Sequence, residues 1–195
     1  DDGRDSSQLI DICQSGSDSH ERIQQHVCDM KNNGFKCEFI DVEEFITSHN
    51  IPDLIVTNKT NYETHLRNTK YNMSFLCDGI IRYNNKYYIL EIKTETQDKF
   101  IMRDGVDPSH YDQATAYSLC FGIDEVLFLY ENRNTCDKKC FLFKVTQEMR
   151  DNIANKMITC TSYLNNNKVP PKPDDVLKKT CTYCNYRSLC KANGD

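Results

Sequence analysis

The chain has no tryptophan, no apolar run approaching the roughly 18 residues of a membrane span, and no excess of positive charge. The missing tryptophan, set beside abundant Asn and Lys, is the bias of an AT-rich genome and says nothing about the fold. The missing long apolar run excludes a transmembrane helix, and no secretory h-region is visible. An intracellular setting is therefore expected: cytoplasmic for a chain of bacterial, viral or phage origin, nuclear or organellar for a eukaryotic one. The net charge of −5, from 24 Lys and Arg against 29 Asp and Glu, is not the basic balance of a simple nucleic-acid binder. It lowers the expectation of tight non-specific duplex binding at physiological salt. A nucleic-acid site is still compatible with it if a metal-centred cleft supplies positive charge locally.

Cysteine, by contrast, is abundant. Eleven cysteines would suit a secreted disulfide scaffold, but the count is odd and no signal peptide accompanies it. Cys77, Cys120, Cys140 and Cys160 sit in apolar strand or helix patterns and read as small buried hydrophobes in a reducing compartment. The three nearest the C-terminus are of another kind and are considered below.

The most informative residues are Asp78 and Glu91-Ile92-Lys93. Phe75–Tyr83 and Lys86–Lys93 are rich in β-branched and aromatic residues, and Asn84-Asn85 between them can adopt the positive φ of a tight turn. They read as two strands of one hairpin, interrupted by charges that would be costly to bury without a cationic partner. Glu91 and Lys93, two apart, share one strand face, and Asp78 on the neighbouring strand can converge on it. Two carboxylates and the Ile92 carbonyl suit a hard cation, Mg²⁺ or Mn²⁺. Lys93 beside it could orient or deprotonate the attacking water, or neutralise charge developing on a phosphate. A surface hairpin with ordinary alternating charges has the same local pattern. Glu95, two further along, is either a supporting group or a solvated strand end.

Along the chain, a helix is expected from about Asp18 to Asn33, capped by Ser17 or Asp18 and ended by Gly34. A strand over Phe35–Val42, a short helix over Glu43–His49 and an extended Ile51–Val56 follow, then a polar loop over 57–72 and the hairpin over 74–94. A charged stretch leads to Pro108, a helix spans about Ser109–Cys120 to Gly122, strands cover Glu125–Tyr130 and Cys140–Val145, and Thr146 caps a helix reaching about Leu164. A Pro- and Lys-rich connector, Asn165–Lys179, precedes the tail. This order predicts an α/β fold with a mixed central sheet flanked by helices. One domain of 195 residues is expected, with a core over about 16–165 and a cysteine tail over about 166–195.

Gln113-Ala114-Thr115-Ala116-Tyr117 places Gln113 and Tyr117 on one helix face, where they could hydrogen-bond a phosphate; a plain amphipathic helix reads the same way. Upstream, His20 stands in the first turn of the first expected helix. The order His20, Asp78, Glu91-Ile92-Lys93, Gln113…Tyr117 resembles the PD-(D/E)xK nuclease superfamily, in its RecB-like branch. That branch includes CRISPR-associated iron–sulfur exonucleases, the nuclease domains of bacterial recombination helicases, and phage recombination nucleases. The resemblance spans about residues 16–120 by motif. It implies a restriction-endonuclease-like core, a metal held by His20, Asp78 and Glu91, a catalytic Lys93, and DNA contacts from Gln113 and Tyr117. The family's Pro-Asp is Cys77-Asp78 here.

Cys181-x2-Cys184-x5-Cys190 near the C-terminus can hold a soft metal or cluster. The iron–sulfur members of the branch join such a run to one cysteine near the N-terminus. By that resemblance Cys13 is the fourth ligand, with Cys28 or Cys37 as alternatives, of a structural [4Fe–4S] cluster or a Zn²⁺ ion. Cys13 lies only seven residues before His20, closer than that branch leads one to expect. The expected activity is metal-dependent hydrolysis of DNA, single-stranded or at duplex ends and exonucleolytic by preference, in end processing, recombination, repair or phage replication. A helicase, recombinase or other recombination protein is the expected partner. The rival readings are a non-catalytic DNA-binding or scaffolding module with the same staple, and a zinc-ribbon-like interaction protein.

Overall fold

The computed structural model describes residues 6–60, 63–171, 181–182 and 184–188, and for 6–13 and 15 the backbone alone. By internal contacts it divides into two compact units, Asp1–Ala154 and Asn155–Asp195. The first contains helices α1 (Ser6–Asn32), α2 (Val42–Ser48), α3 (Gln97–Met102) and α4 (Tyr111–Phe121) and eight strands. These are β1 (Cys37–Ile40), β2 (Leu54–Lys59), β3 (Thr64–Asn68), β4 (Met73–Cys77), β5 (Gly79–Tyr83), β6 (Lys86–Glu95), β7 (Glu125–Asn132) and β8 (Lys138–Lys144). A last helix, α5 (Gln147–Asn165), begins in the first unit and runs into the second.

The strands form a five-stranded sheet ordered β1-β5-β6-β7-β8 and a three-stranded sheet ordered β2-β3-β4. Among the described residues only β6 and β7 pair parallel, so the larger sheet is mixed, and helices flank it. The parallel pair requires a crossover, which α3, a 3-10 turn at Pro108–His110 and α4 supply.

Alternation along β6 sorts its side chains to two faces. Leu90 and Ile92 pack with Ile23 and Val27 of α1 and with Ile81 and Leu129, all buried. Glu91 and Lys93 point to the opposite face, where Gln113 of α4 meets them. The β5–β6 turn is made by Asn84 and Asn85 at φ 49° and 64°, the paired left-handed residues that a type I′ hairpin needs.

Several elements differ from the sequence reading. The first helix begins at Ser6, so Ser17 and Asp18 lie inside it and cap nothing, and Cys13 is within the helix rather than before it. Leu9, Ile12 and Cys13 extend the helical spacing, and one interior glycine, Gly16, costs only about 1 kcal/mol. Gly34 does end the chain's reversal, at φ 85°. The stretch read as a loop over 57–72 contains the end of β2 and all of β3. Its alternating pattern was masked by polar outward residues. The charged stretch before Pro108 also holds a helix, the short α3. Phe75–Tyr83 is not one strand: the chain leaves the small sheet at Cys77 and enters the large one at Gly79, with Asp78 between. Cys77 and Cys120 are buried as expected, but Cys140 and Cys160 are exposed, each on the outward face of an amphipathic element.

Candidate functional site

Asp78 is set at the seam between the two sheets. The β5–β6 ladder ends at the pair Gly79↔Leu90, so the next backbone groups of β6 have no strand partner on that side. Asp78 fills the vacancy. Its Oδ2 accepts the Ile92 N–H at 2.7 Å, and its carbonyl accepts Gln24 Nε2 at 2.5 Å. Its Oδ1 stands 3.1 Å from His20 Nδ1, a contact that orients the imidazole. A strand residue sends its N–H and C=O to the same edge, so the Ile92 carbonyl also leaves β6 on the Asp78 side.

Glu91 is 3 % exposed. Its Oε1 accepts Gln113 Nε2 at 2.9 Å and lies 2.6 Å from Lys93 Nζ. Its Oε2 is buried and has no hydrogen-bond partner among the described residues. Burial and the Asp78 charge push the Glu91 carboxyl up to about 7, against the opposing pull of Lys93 and His20. Burial alone would lower the His20 pKa, but the hydrogen bond and charge of Asp78, with the charges of Glu63 and Glu91, raise it.

The helix predicted to carry Gln113 and Tyr117 does so, with Gly122 as its left-handed stop at φ 69°. Gln113 turns inward: its Oε1 accepts Lys93 Nζ at 3.1 Å while its amide nitrogen serves Glu91 and lies 2.7 Å from Tyr117 Oη. Tyr117 is 3 % exposed and its hydroxyl donates to the Leu76 carbonyl at 2.5 Å. Burial pushes that phenol well above its usual range. In this arrangement Gln113 and Tyr117 lock the Glu91–Lys93 pair in place, and Tyr117 ties α4 to the strand leading to Asp78.

His20, Asp78, Glu91, Ile92, Lys93, Gln113 and Tyr117 are therefore brought together. Glu63 is the residue the sequence reading missed: ligand atoms of His20, Glu63 and Asp78 all lie within 4.8 Å of one another. It fell in the stretch read as a loop, and the only available signal was a carboxylate just ahead of the alternating Thr64-x-Leu66. Of the two readings of Glu95, a supporting group or a solvated strand end, the solvated end does not hold. Glu95 is 8 % exposed and takes a two-pronged bond from Arg103, Nε at 2.9 Å and Nη2 at 2.5 Å, beneath the Tyr130 ring.

The expected cluster ligands are only partly described. Cys181 is half-buried and Cys184 exposed, and the Cys184 N–H donates to the Cys181 carbonyl at 3.4 Å, the tight turn a C-x2-C pair needs. Cys190 and the Cys13 side chain lie outside the described residues. Of the alternatives, Cys28 is exposed on α1 and Cys37 packs against the core from β1.

No family model and no curated protein matches the chain. Among solved structures, the crystal structure of SSO0001 is similar at a TM-score of 0.48 and 15 % identity, over 96 % of this chain and 72 % of that one. No helix among the described residues is long and apolar enough to cross a membrane.

Proposed function

We propose that the chain is a metal-dependent DNA nuclease with a restriction-endonuclease-like core, of the RecB-like branch of the PD-(D/E)xK superfamily. The observation that carries this reading is the buried Glu91 oxygen left without a partner beside Asp78, with Lys93 held against the same carboxylate. An orphaned buried carboxylate oxygen is costly unless a cation meets it. The donor set of carboxylate oxygens, one imidazole and a backbone carbonyl fits Mg²⁺ or Mn²⁺. Asp78, Glu91, His20 and the Ile92 carbonyl would hold the ion. Such an ion supplies Lewis-acid stabilisation of charge on a phosphate.

The chain's own groups supply the rest. Lys93, its side chain a quarter exposed, offers a hydrogen-bond donor and positive charge to the attacking water and the scissile phosphate. Gln113 fixes the rotamers of Lys93 and Glu91 together, so the cation site and the lysine stay in register. Of the Gln113–Tyr117 pair, half-buried Gln113 is the member that would meet a DNA strand, while buried Tyr117 would support it. The C-terminal Cys181 and Cys184, with Cys190 and Cys13, would hold a structural [4Fe–4S] cluster or Zn²⁺. DNA ends are the proposed substrate, with a recombination helicase or recombinase as the class of partner.

The test is cleavage of end-labelled single- and double-stranded DNA with Mg²⁺ or Mn²⁺, and with EDTA as control. Metal-dependent cleavage is expected, and Lys93→Ala should abolish it while leaving the fold intact. Cleavage undiminished by that substitution would refute the site. No cleavage with any divalent ion would favour a non-catalytic DNA-binding module instead.

A further inference from the structure

Asp78 lies between two ladders, and the two registers meet on it. In the small sheet the last β3–β4 pair is Thr64↔Cys77. One step further places Glu63 across from Asp78. In the large sheet the last β5–β6 pair is Gly79↔Leu90. One step further places Glu91 across from Asp78 on its other side. The ends of the two ladders thus bring three carboxylates, Glu63, Asp78 and Glu91, to the seam, where like charges repel unless something cationic joins them.

Glu63 is held at that position by its backbone. Its N–H donates to Thr60 Oγ1 at 3.0 Å, and its carbonyl accepts the Thr60 N–H at 2.9 Å. The half-buried side chain lies with His20 and Asp78, ligand atoms within 4.8 Å of one another. Formal charge sharpens the point. Glu63, Asp78 and Glu91 contribute three negative charges, and Lys93, the ammonium bonded to Glu91, contributes one positive. With His20 counted as neutral, the seam carries two uncompensated formal negative charges, matching one divalent cation. The orphaned Oε2 of Glu91, nine-tenths buried on the strand beside Asp78, is a second sign that a ligand belongs at the seam.

We infer that Glu63 is a metal ligand, reaching with His20 and Asp78 a divalent cation at the seam and thereby tying the small sheet to the metal site. This rests on the proposed metal-dependent reading and adds a ligand from outside the hairpin. Its consequence is mechanical as well as chemical: loading the site should fasten Glu63 and the start of β3 to α1 and β6.

The experiment is calorimetric titration of the full, metal-free chain with Mn²⁺, for wild type, Glu63→Gln and Glu91→Gln. Amide hydrogen exchange is followed at Glu63 and Thr64 with and without Mn²⁺. Loss of even an outer contact to a metal ligand commonly weakens binding 10–100-fold, so Glu63→Gln should weaken Mn²⁺ binding by about tenfold or more. Mn²⁺ should slow exchange at Glu63 and Thr64 in wild type and not in Glu63→Gln, while the melting temperature of the metal-free variant does not fall below the wild-type value. Mn²⁺ binding lost in Glu91→Gln but unchanged in Glu63→Gln would overturn the inference and leave the proposed function standing. No Mn²⁺ binding by wild type would overturn both.

Discussion

Replacing Glu91 with glutamine should stabilise the metal-free protein at alkaline pH and do almost nothing at acid pH. The folded state holds the Glu91 carboxyl at about 7, against an ordinary value of 4.5, chiefly because it is buried and secondly because Asp78 is charged nearby. Between those two values the folded chain keeps a proton that the unfolded chain has lost. Stability therefore falls as pH rises through this window: the contribution is complete below 4.5 and gone above 7. The span corresponds to about 3 kcal/mol at ~1.4 kcal/mol for each pH unit. Glutamine mimics the protonated carboxyl at every pH. Urea unfolding of EDTA-dialysed wild type and Glu91→Gln, from about pH 4 to about pH 8.5, should show two curves that coincide at the acid end and diverge by up to about 3 kcal/mol at the alkaline end. His20, whose pKa is also raised, contributes stability lost in the same direction, but it is common to both proteins and cancels to first order. Saturating Mn²⁺ should reverse the order at alkaline pH, because binding to the folded state adds stability only where the full ligand set is present. A difference that stayed flat across the pH range would refute the argument, since the burial and charge that carry it would then be absent.

Two other substitutions test the scaffold around the site. Arg103→Ala should cost about 3–5 kcal/mol, because it strands the buried Glu95 carboxylate that Arg103 holds with two hydrogen bonds; urea midpoints measure it, and a loss below about 1 kcal/mol would show the pair to be dispensable. Gly79→Ala should destabilise by about 1–3 kcal/mol, since a Cβ there would press into the Phe39 ring across the β1–β5 pair. Phe39→Leu should recover part of that loss in the double variant, and strictly additive effects would argue against a clash.

The sequence by itself determined the local geometry of the hairpin. A spacing of two on a strand puts Glu91 and Lys93 on one face whatever surrounds them, and Asn84-Asn85 supplies the left-handed turn that folds β6 back on β5. It likewise determined α4, because Gln113 and Tyr117 four apart share a face of any helix that stops at Gly122. Those are properties of backbone periods and short-range sterics. The order of elements also predicted a mixed sheet flanked by helices.

Tertiary structure decided the rest, because it depends on pairings between distant segments. Asp78 looks in sequence like a residue inside a strand; only the end of one ladder and the start of another turns it into the seam residue that takes the Ile92 N–H. Glu63 has no local mark of function, and becomes a neighbour of Asp78 through the register of β3 on β4. Glu95 shares the face of Lys93 by spacing, yet the Arg103 guanidinium, supplied by a later loop, commits it to structure. Nor does sequence show that Gln113 points inward, since that follows from the packing of α4 over the polar face of β6. Period fixes which side chains share a face, and register fixes which charges meet across it.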